Sequence, residues 1–210
     1  RVMEVTGKNK VILVGHSMGG LASREYIQNS YNWQADNQHH VAKFLTLGTP
    51  HGGSNASDIP GSFLTGTDTR SEALRDLKTT YYYSGEPSRF LFGGIEINNS
   101  SNMNEHFIGP DYWNIDVNCN GTIGDNIVGL NQKPIDNIID FSCVLGRING
   151  SSSDGVVTET SGSLGNYFTG TGLTYPIKYS YYTSIGIENH TALPSQYYEI
   201  MHGLDEPNVK

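Results

Sequence analysis

The sequence has no run of about 18 apolar residues, so it encodes no helical membrane span. It has no Lys/Arg cluster. Its 13 basic and 21 acidic side chains leave a formal net charge of −8. An acidic surface repels a phosphate backbone, which argues against nucleic acid as a partner. Charge of either sign is scarce: 16% of residues are charged, against roughly 25% in ordinary soluble domains. Asn, Ser, Thr, Gly and Tyr must build much of the surface, a profile common in exported proteins. There is no internal repeat and no low-complexity linker. Cysteine is nearly absent, with only Cys119 and Cys143. Two readings stay open for them. They form one disulfide in an oxidising compartment, worth roughly 3 kcal/mol for a loop of that length, or they are two buried thiols.

What is present is enough chain, 210 residues, for one domain with a real core. Residues 10–14, Lys-Val-Ile-Leu-Val, form a β-branched run suited to a strand buried on both faces. In the segment LASREYIQNSY, Leu21, Tyr26 and Ile27 recur at helical spacing. VAKFLTLGTPHGG then repeats the grammar of an apolar strand ending in a Gly/Pro turn. Strand, helix and strand within about 40 residues make a βαβ unit, which requires a parallel sheet. Residues 54–136 break this pattern and read as an excursion over the sheet, a cap or lid with a helical piece around SEALRDLKTTYYY. Strand grammar returns in IIDFSCVLGR (138–147) and YPIKYSYYTSIGI (175–187). LPSQYYEIMHGL (193–204) predicts a closing helix with Pro194 in its first turn.

Gly15-His16-Ser17-Met18-Gly19 fits G-x-S-x-G. With 25 glycines in the chain the pattern alone is weak. The strand before it and the helix after it supply the context in which it means a nucleophile elbow. A strand turning sharply into a helix strains the turn residue, and glycines two positions to either side are expected to relieve side-chain clashes. The Ser17 hydroxyl is then held in the open, above helix N–H donors that include Met18 N–H, positioned to bind an oxyanion.

The pair VILVGHSMGG and FLTLGTPHGGS strongly resembles α/β-hydrolase lipases. The resemblance is to bacterial triacylglycerol lipases and their GPI-inositol-deacylase-like and acyltransferase-like relatives. It is dense over residues 10–54 and patchy beyond. It implies an α/β-hydrolase fold, a mostly parallel sheet with flanking helices. Residues 1–53 and 137–210 would form a partial core, with 54–136 as a cap insertion within the same domain. It implies a serine hydrolase that cleaves carboxylic esters, acyl-lipid esters foremost, through a Ser-His-Asp triad and an acyl-enzyme. Such an enzyme needs no cofactor for catalysis, takes a small-molecule or lipid ester, and touches a lipid interface transiently. Acyl transfer or amide hydrolysis on the same fold, and an inactive fragment acting only as a binding module, stay open as alternatives. His16 and His51 would be supporting residues rather than bases.

A serine hydroxyl needs an imidazole to take its proton and a carboxylate to orient that imidazole. In this fold the chain order is Ser, then Asp or Glu, then His. Asp154 lies in SDGVV, a polar loop after a strand that resembles the lipases' acid loop; Asp136 and Asp140 are weaker candidates. Of seven histidines, only His190 and His202 follow Asp154. His190, in a loop between a strand and the last helix, occupies the setting of the family's base, whereas His202 falls inside the helix. Asn189-His190-Thr191 is also an N-glycosylation sequon, as are the sites at Asn55, Asn98, Asn99, Asn120 and Asn149. A glycan beside the base would crowd it, which points to a bacterial source; with the exported-type composition, the expected location is secreted or cell-envelope.

DVNCNGTIGDN (116–126) places Asp116, Asn118 and Asn120 at alternate positions, then Gly121 and the carbonyl of Thr122, as an EF-hand-type loop begins. Ile127 stands where a bidentate Glu belongs, with Asp125 as the substitute. The expectation is a structural Ca²⁺ pinning the cap, set against an Asn/Gly-rich turn without metal. His39, His40 and Asp58 lack metal-ligand spacing. Finally, only 16 residues precede Ser17, whereas hydrolase sheets carry several strands before the elbow and take the second oxyanion donor from a loop after one of them. The expectation is a C-terminal portion of a hydrolase, weakly active or inactive alone because half the oxyanion hole is missing, its upstream segment supplied by a longer chain or another one.

Overall fold

The computed structural model describes residues 1–54, 108–110, 126–128, 130, 133–167, 177–184 and 189–205. The chain divides into two compact units, one made of Arg1–His51 with Pro134–Lys210 and the other of Gly52–Lys133. In the second unit the described elements are β3 (Ile108–Pro110) and β4 (Asn126–Val128), an antiparallel pair with Ile108 opposite Val128. The helix expected around SEALRDLKTTYYY, the calcium loop with Asp116, Asn118, Asn120, Thr122 and Asp125, and Cys119 lie outside the described residues.

The first unit begins with a short helix, α1 (Val2–Thr6), followed by β1 (Val11–His16). The next helix, α2, spans Met18–Gln28, so it starts earlier than the apolar spacing predicts and also ends earlier. Asn29 stops it by taking an extended conformation, and its side chain accepts from Tyr31 N–H to cap a separate 3-10 turn, Ser30–Asn32. Strand β2 (Val41–Leu47) follows, and with β5 (Asp140–Ile148) and β6 (Lys178–Ser184) the described residues form a four-stranded sheet in the order β1-β2-β5-β6, parallel throughout.

The central strands β2 and β5 are buried along nearly their whole length, as their continuous apolar runs require. Their side chains alternate between two cores. Phe44, Phe141, Cys143 and Leu145 point to one face with Ile27, Ile139 and Leu164; Leu45, Leu47 and Val144 point to the other with Leu193. Strand β1 pairs only with β2 among the described residues, and its Ile12 and Val14 are half exposed. Cys143 is a free, buried thiol, pushed up to about 11 by burial; it is protonated at neutral pH and therefore a poor nucleophile.

The closing helix divides in two. A 3-10 turn, Leu193–Ser195, holds Pro194, and Gln196 then leaves helical geometry (ψ 84°). The last helix, Tyr197–Asp205, is α5, after the short helices α3 (Glu159–Gly162) and α4 (Asn189–Ala192). Sheet side chains tie down its C-terminal end: Lys43 Nζ donates to Leu204 O at 3.0 Å and Ser142 Oγ to Gly203 O at 3.0 Å. A cation on the last carbonyls also complements the helix dipole.

Candidate active site

Strand β1 runs out at His16, and Ser17 takes φ 53° and ψ −130° before α2 begins at Met18. A positive φ on a non-glycine residue costs of order 1–3 kcal/mol and persists only where the surroundings over-determine it. They do so here: Ser17 N–H donates to Leu47 O at 3.0 Å, and Ser17 O accepts from Gly20 N–H at 3.0 Å. The glycine requirement falls differently from the symmetric expectation. A Cβ on Gly15 would sit 2.6 Å from Gly20 Cα, and one on Gly20 would sit 2.0 Å from Thr49 Oγ1. A Cβ on Gly19 would meet nothing within 4 Å among the described residues. The close approach that packs α2 on β1 and the turn after β2 thus belongs to Gly15 and Gly20, not Gly19. Gly20→Ala is expected to destabilise the fold by about 1–3 kcal/mol through overpacking, and Gly19→Ala to leave it within about 0.5 kcal/mol. Equal melting temperatures for the two variants would contradict this assignment.

Asp154 follows β5 and is almost fully buried. Its Oδ1 accepts from Val156 N–H at 2.9 Å and Val157 N–H at 2.7 Å. Its Oδ2 accepts from His190 Nδ1 at 2.7 Å. That bond places the imidazole proton on Nδ1 and leaves a lone pair on Nε2. Nε2 lies 3.0 Å from Ser17 Oγ, so the hydroxyl can donate to it. Ser17, His190 and Asp154, distant in sequence, therefore form one hydrogen-bonded chain at the carboxyl ends of the parallel strands. His190 is 2% exposed. It lies in the single turn α4 rather than in a loop.

The remaining candidates fall elsewhere. His202 is exposed on α5. Asp140 is the first residue of β5, and Asp136 accepts from His39 Nε2 at 3.1 Å. His40 pairs with Asp36 at 2.7 Å. These two His–Asp pairs precede β2 and β5, at the amino ends of the strands and so opposite Ser17. Met18 opens α2, with its backbone N–H in the first turn. His51 is buried, its Nδ1 accepting from Arg24 Nη1 and its Nε2 facing Thr46 Oγ1, both at 3.4 Å.

Burial and the Arg24 charge hold the His51 imidazole well below its usual 6.5. The unfolded chain therefore binds a proton that the folded chain refuses, and stability falls as pH drops below about 6.5. His51→Gln removes that proton and is expected to flatten urea-derived stability below about pH 6.5; a wild-type slope would overturn this.

A family model described as lecithin:cholesterol acyltransferase matches residues 2–70. Over its full length the chain superposes on the propeptide form of Bacillus licheniformis lipase BlEst2, with a TM-score of 0.51 at 18% identity, covering 39% of that chain. The chain has the α/β-hydrolase fold. A Listeria innocua gene product is similar at 14% identity and TM-score 0.44, with 95% of this chain and 60% of that one covered. Carboxylesterase CesB of Bacillus subtilis is similar at 12% identity and TM-score 0.43, with 97% and 62% covered. No curated protein sequence matches it.

Two residues of this site escape the motif reading. Gly48 has φ +52°, and a Cβ there would lie 2.9 Å from Asp154 Oδ2 and 3.0 Å from His190 Nδ1. It leaves room for the His–Asp bond, and its place in TLGTPHGG is the signal that could have revealed it. Asn189, 1% exposed, donates from Nδ2 to Arg147 O at 3.0 Å and Ser184 Oγ at 2.9 Å. Its Oδ1 is buried without a hydrogen-bond partner among the described residues. The sequon at Asn189 is thus closed to glycosylation in the folded chain.

Proposed function

We propose that the chain carries the catalytic centre of a serine hydrolase acting on carboxylic esters, acyl-lipid esters foremost. The observation that carries this reading is the continuous chain from Ser17 Oγ to His190 to Asp154, at 3.0 and 2.7 Å. In the proposed cycle, Ser17 Oγ bonds to the ester carbonyl carbon while its proton passes to His190 Nε2. Asp154 holds the Nδ1–H tautomer and stabilises the imidazolium. Met18 N–H donates to the oxyanion of the tetrahedral intermediate. Collapse breaks the bond to the alcohol, which leaves with the proton from Nε2. Water then repeats the sequence on the acyl-enzyme, releasing the acid and restoring Ser17.

A second reading, transfer of the acyl group to an alcohol instead of water, is favoured by the acyltransferase family match over residues 2–70. Both share the acyl-enzyme and differ in what deacylates it.

The test is covalent labelling with a fluorophosphonate, followed by peptide mass spectrometry. Labelling is expected at Ser17, in wild type and not in His190→Ala. Labelling at another serine, or none, would refute the assignment. A short ester, a long-chain ester and an amide, each with and without an added alcohol, then separate hydrolysis, amidase action and transfer.

A further inference from the structure

We propose that His16 is a positioning residue that holds His190 in register with Ser17; this rests on the hydrolase reading of the same site. His16 Nε2 lies 2.9 Å from the backbone carbonyl of His190, and the two rings face each other with centroids 4.9 Å apart at 39°. A carbonyl can only accept, so His16 donates through Nε2–H and its tautomer is defined.

The need for such a tie follows from where His190 sits. Its helix, α4, is four residues long, and a single turn is too short to sustain itself without tertiary support. Asn189 fastens it to the ends of β5 and β6 through Arg147 O and Ser184 Oγ. Asp154 holds the ring through Nδ1. Both ties reach toward the β5–β6 side of the sheet, whereas Ser17 is on the far side, at the end of β1. His16, the residue before Ser17 on that strand, reaches from the β1 side to the His190 backbone. The elbow thus carries its own clamp on the group that must stay about 3 Å from its hydroxyl.

The ring's chemistry suits the role. Partial burial, its largest cause, lowers the His16 imidazole below 6.5, so it is uncharged at neutral pH. Neutral, it adds no repulsion when His190 accepts the serine proton and becomes an imidazolium.

The test compares His16→Ala, His16→Asn and His16→Gln in the full chain, with active centres counted by fluorophosphonate titration. Loss of a clamp on a reacting group can cost about 10²-fold through misplacement of about 1 Å. His16→Ala is therefore expected to lower kcat about 10- to 100-fold per titrated centre, with KM within about twofold. His16→Gln, whose amide nitrogen takes the place of Nε2, is expected to stay within about threefold of wild type. His16→Asn is too short to reach, should match the alanine variant, and replaces it if that fails to fold. Proton NMR supplies the independent readout. The downfield His190 Nδ1–H resonance should be sharp in wild type and His16→Gln and broadened in the other two.

Wild-type kcat and a sharp resonance in His16→Ala, or in His16→Asn, would overturn the positioning role and leave the hydrolase reading intact. A wild-type chain that neither labels nor turns over esters would instead remove the hydrolase reading. The resonance would still decide whether His16 holds His190.

Discussion

Ser17→Ala is expected to lower ester turnover by about 10⁴- to 10⁶-fold, the scale on which removing a triad nucleophile acts in subtilisin. The argument is chemical. Alanine deletes Oγ, the atom proposed to bond with the acyl carbon, while leaving His190, Asp154 and the Met18 N–H in place. What persists is binding and oxyanion stabilisation of attack by water. The fold should tolerate the change. The φ of 53° strains alanine as it strains serine, and the backbone bonds of residue 17 to Leu47 O and from Gly20 N–H remain. Initial rates on a chromogenic ester, beside thermal melts of both proteins, check the prediction. A loss under about 10²-fold with an unchanged melt would mean that another group attacks.

How much of this site is legible in the sequence depends on the kind of physical fact involved. Ser17, Asp154 and His190 are readable because each lies where strand grammar gives way to a polar or glycine-rich turn, and chain order then limits the choices. The parallel sheet is readable because strand, helix and strand follow one another within about 40 residues; the burial of β1 on both faces, expected from its apolar run, is not found, since Ile12 and Val14 are half exposed. Clearances are not readable. G-x-S-x-G records glycine spacing, but whether Gly19 or Gly20 meets Thr49 depends on how α2 turns against the strand ends. Arg24 shows the same limit. Its charge suggests a solvated helix face, yet it is fully buried. It shares the buried face of α2 with Gly20 and Ile27, at i, i+4 and i+7, a period that outranks residue type once the apolar stripe is correctly phased. The division of the last helix at Gln196 has no comparable local signal beyond Pro194.

Asp154→Asn is the second large effect, and its direction follows from two backbone donors. Asp154 Oδ1 accepts from the N–H groups of Val156 and Val157 at 2.9 and 2.7 Å. An asparagine there must present its carbonyl oxygen to those donors, because turning its NH₂ toward them would set donor against donor and take the acceptor from both N–H groups, that of the buried Val157 included. With the oxygen so committed, the NH₂ replaces Oδ2 and faces His190 Nδ1. Nδ1 must then accept, so the imidazole proton moves to Nε2, where it points at Ser17 Oγ and cannot take the serine proton. The geometry survives and the tautomer is wrong, the situation that costs about 10⁴-fold in kcat where the equivalent carboxylate is changed in chymotrypsin-like proteases. The expected result is a kcat lower by about 10³- to 10⁴-fold, KM near wild type, and correspondingly slow fluorophosphonate labelling of Ser17. ¹⁵N-resolved NMR should find the His190 proton on Nε2. Turnover within about tenfold of wild type would show that His190 keeps its working tautomer without the carboxylate, and that Asp154 does not orient it.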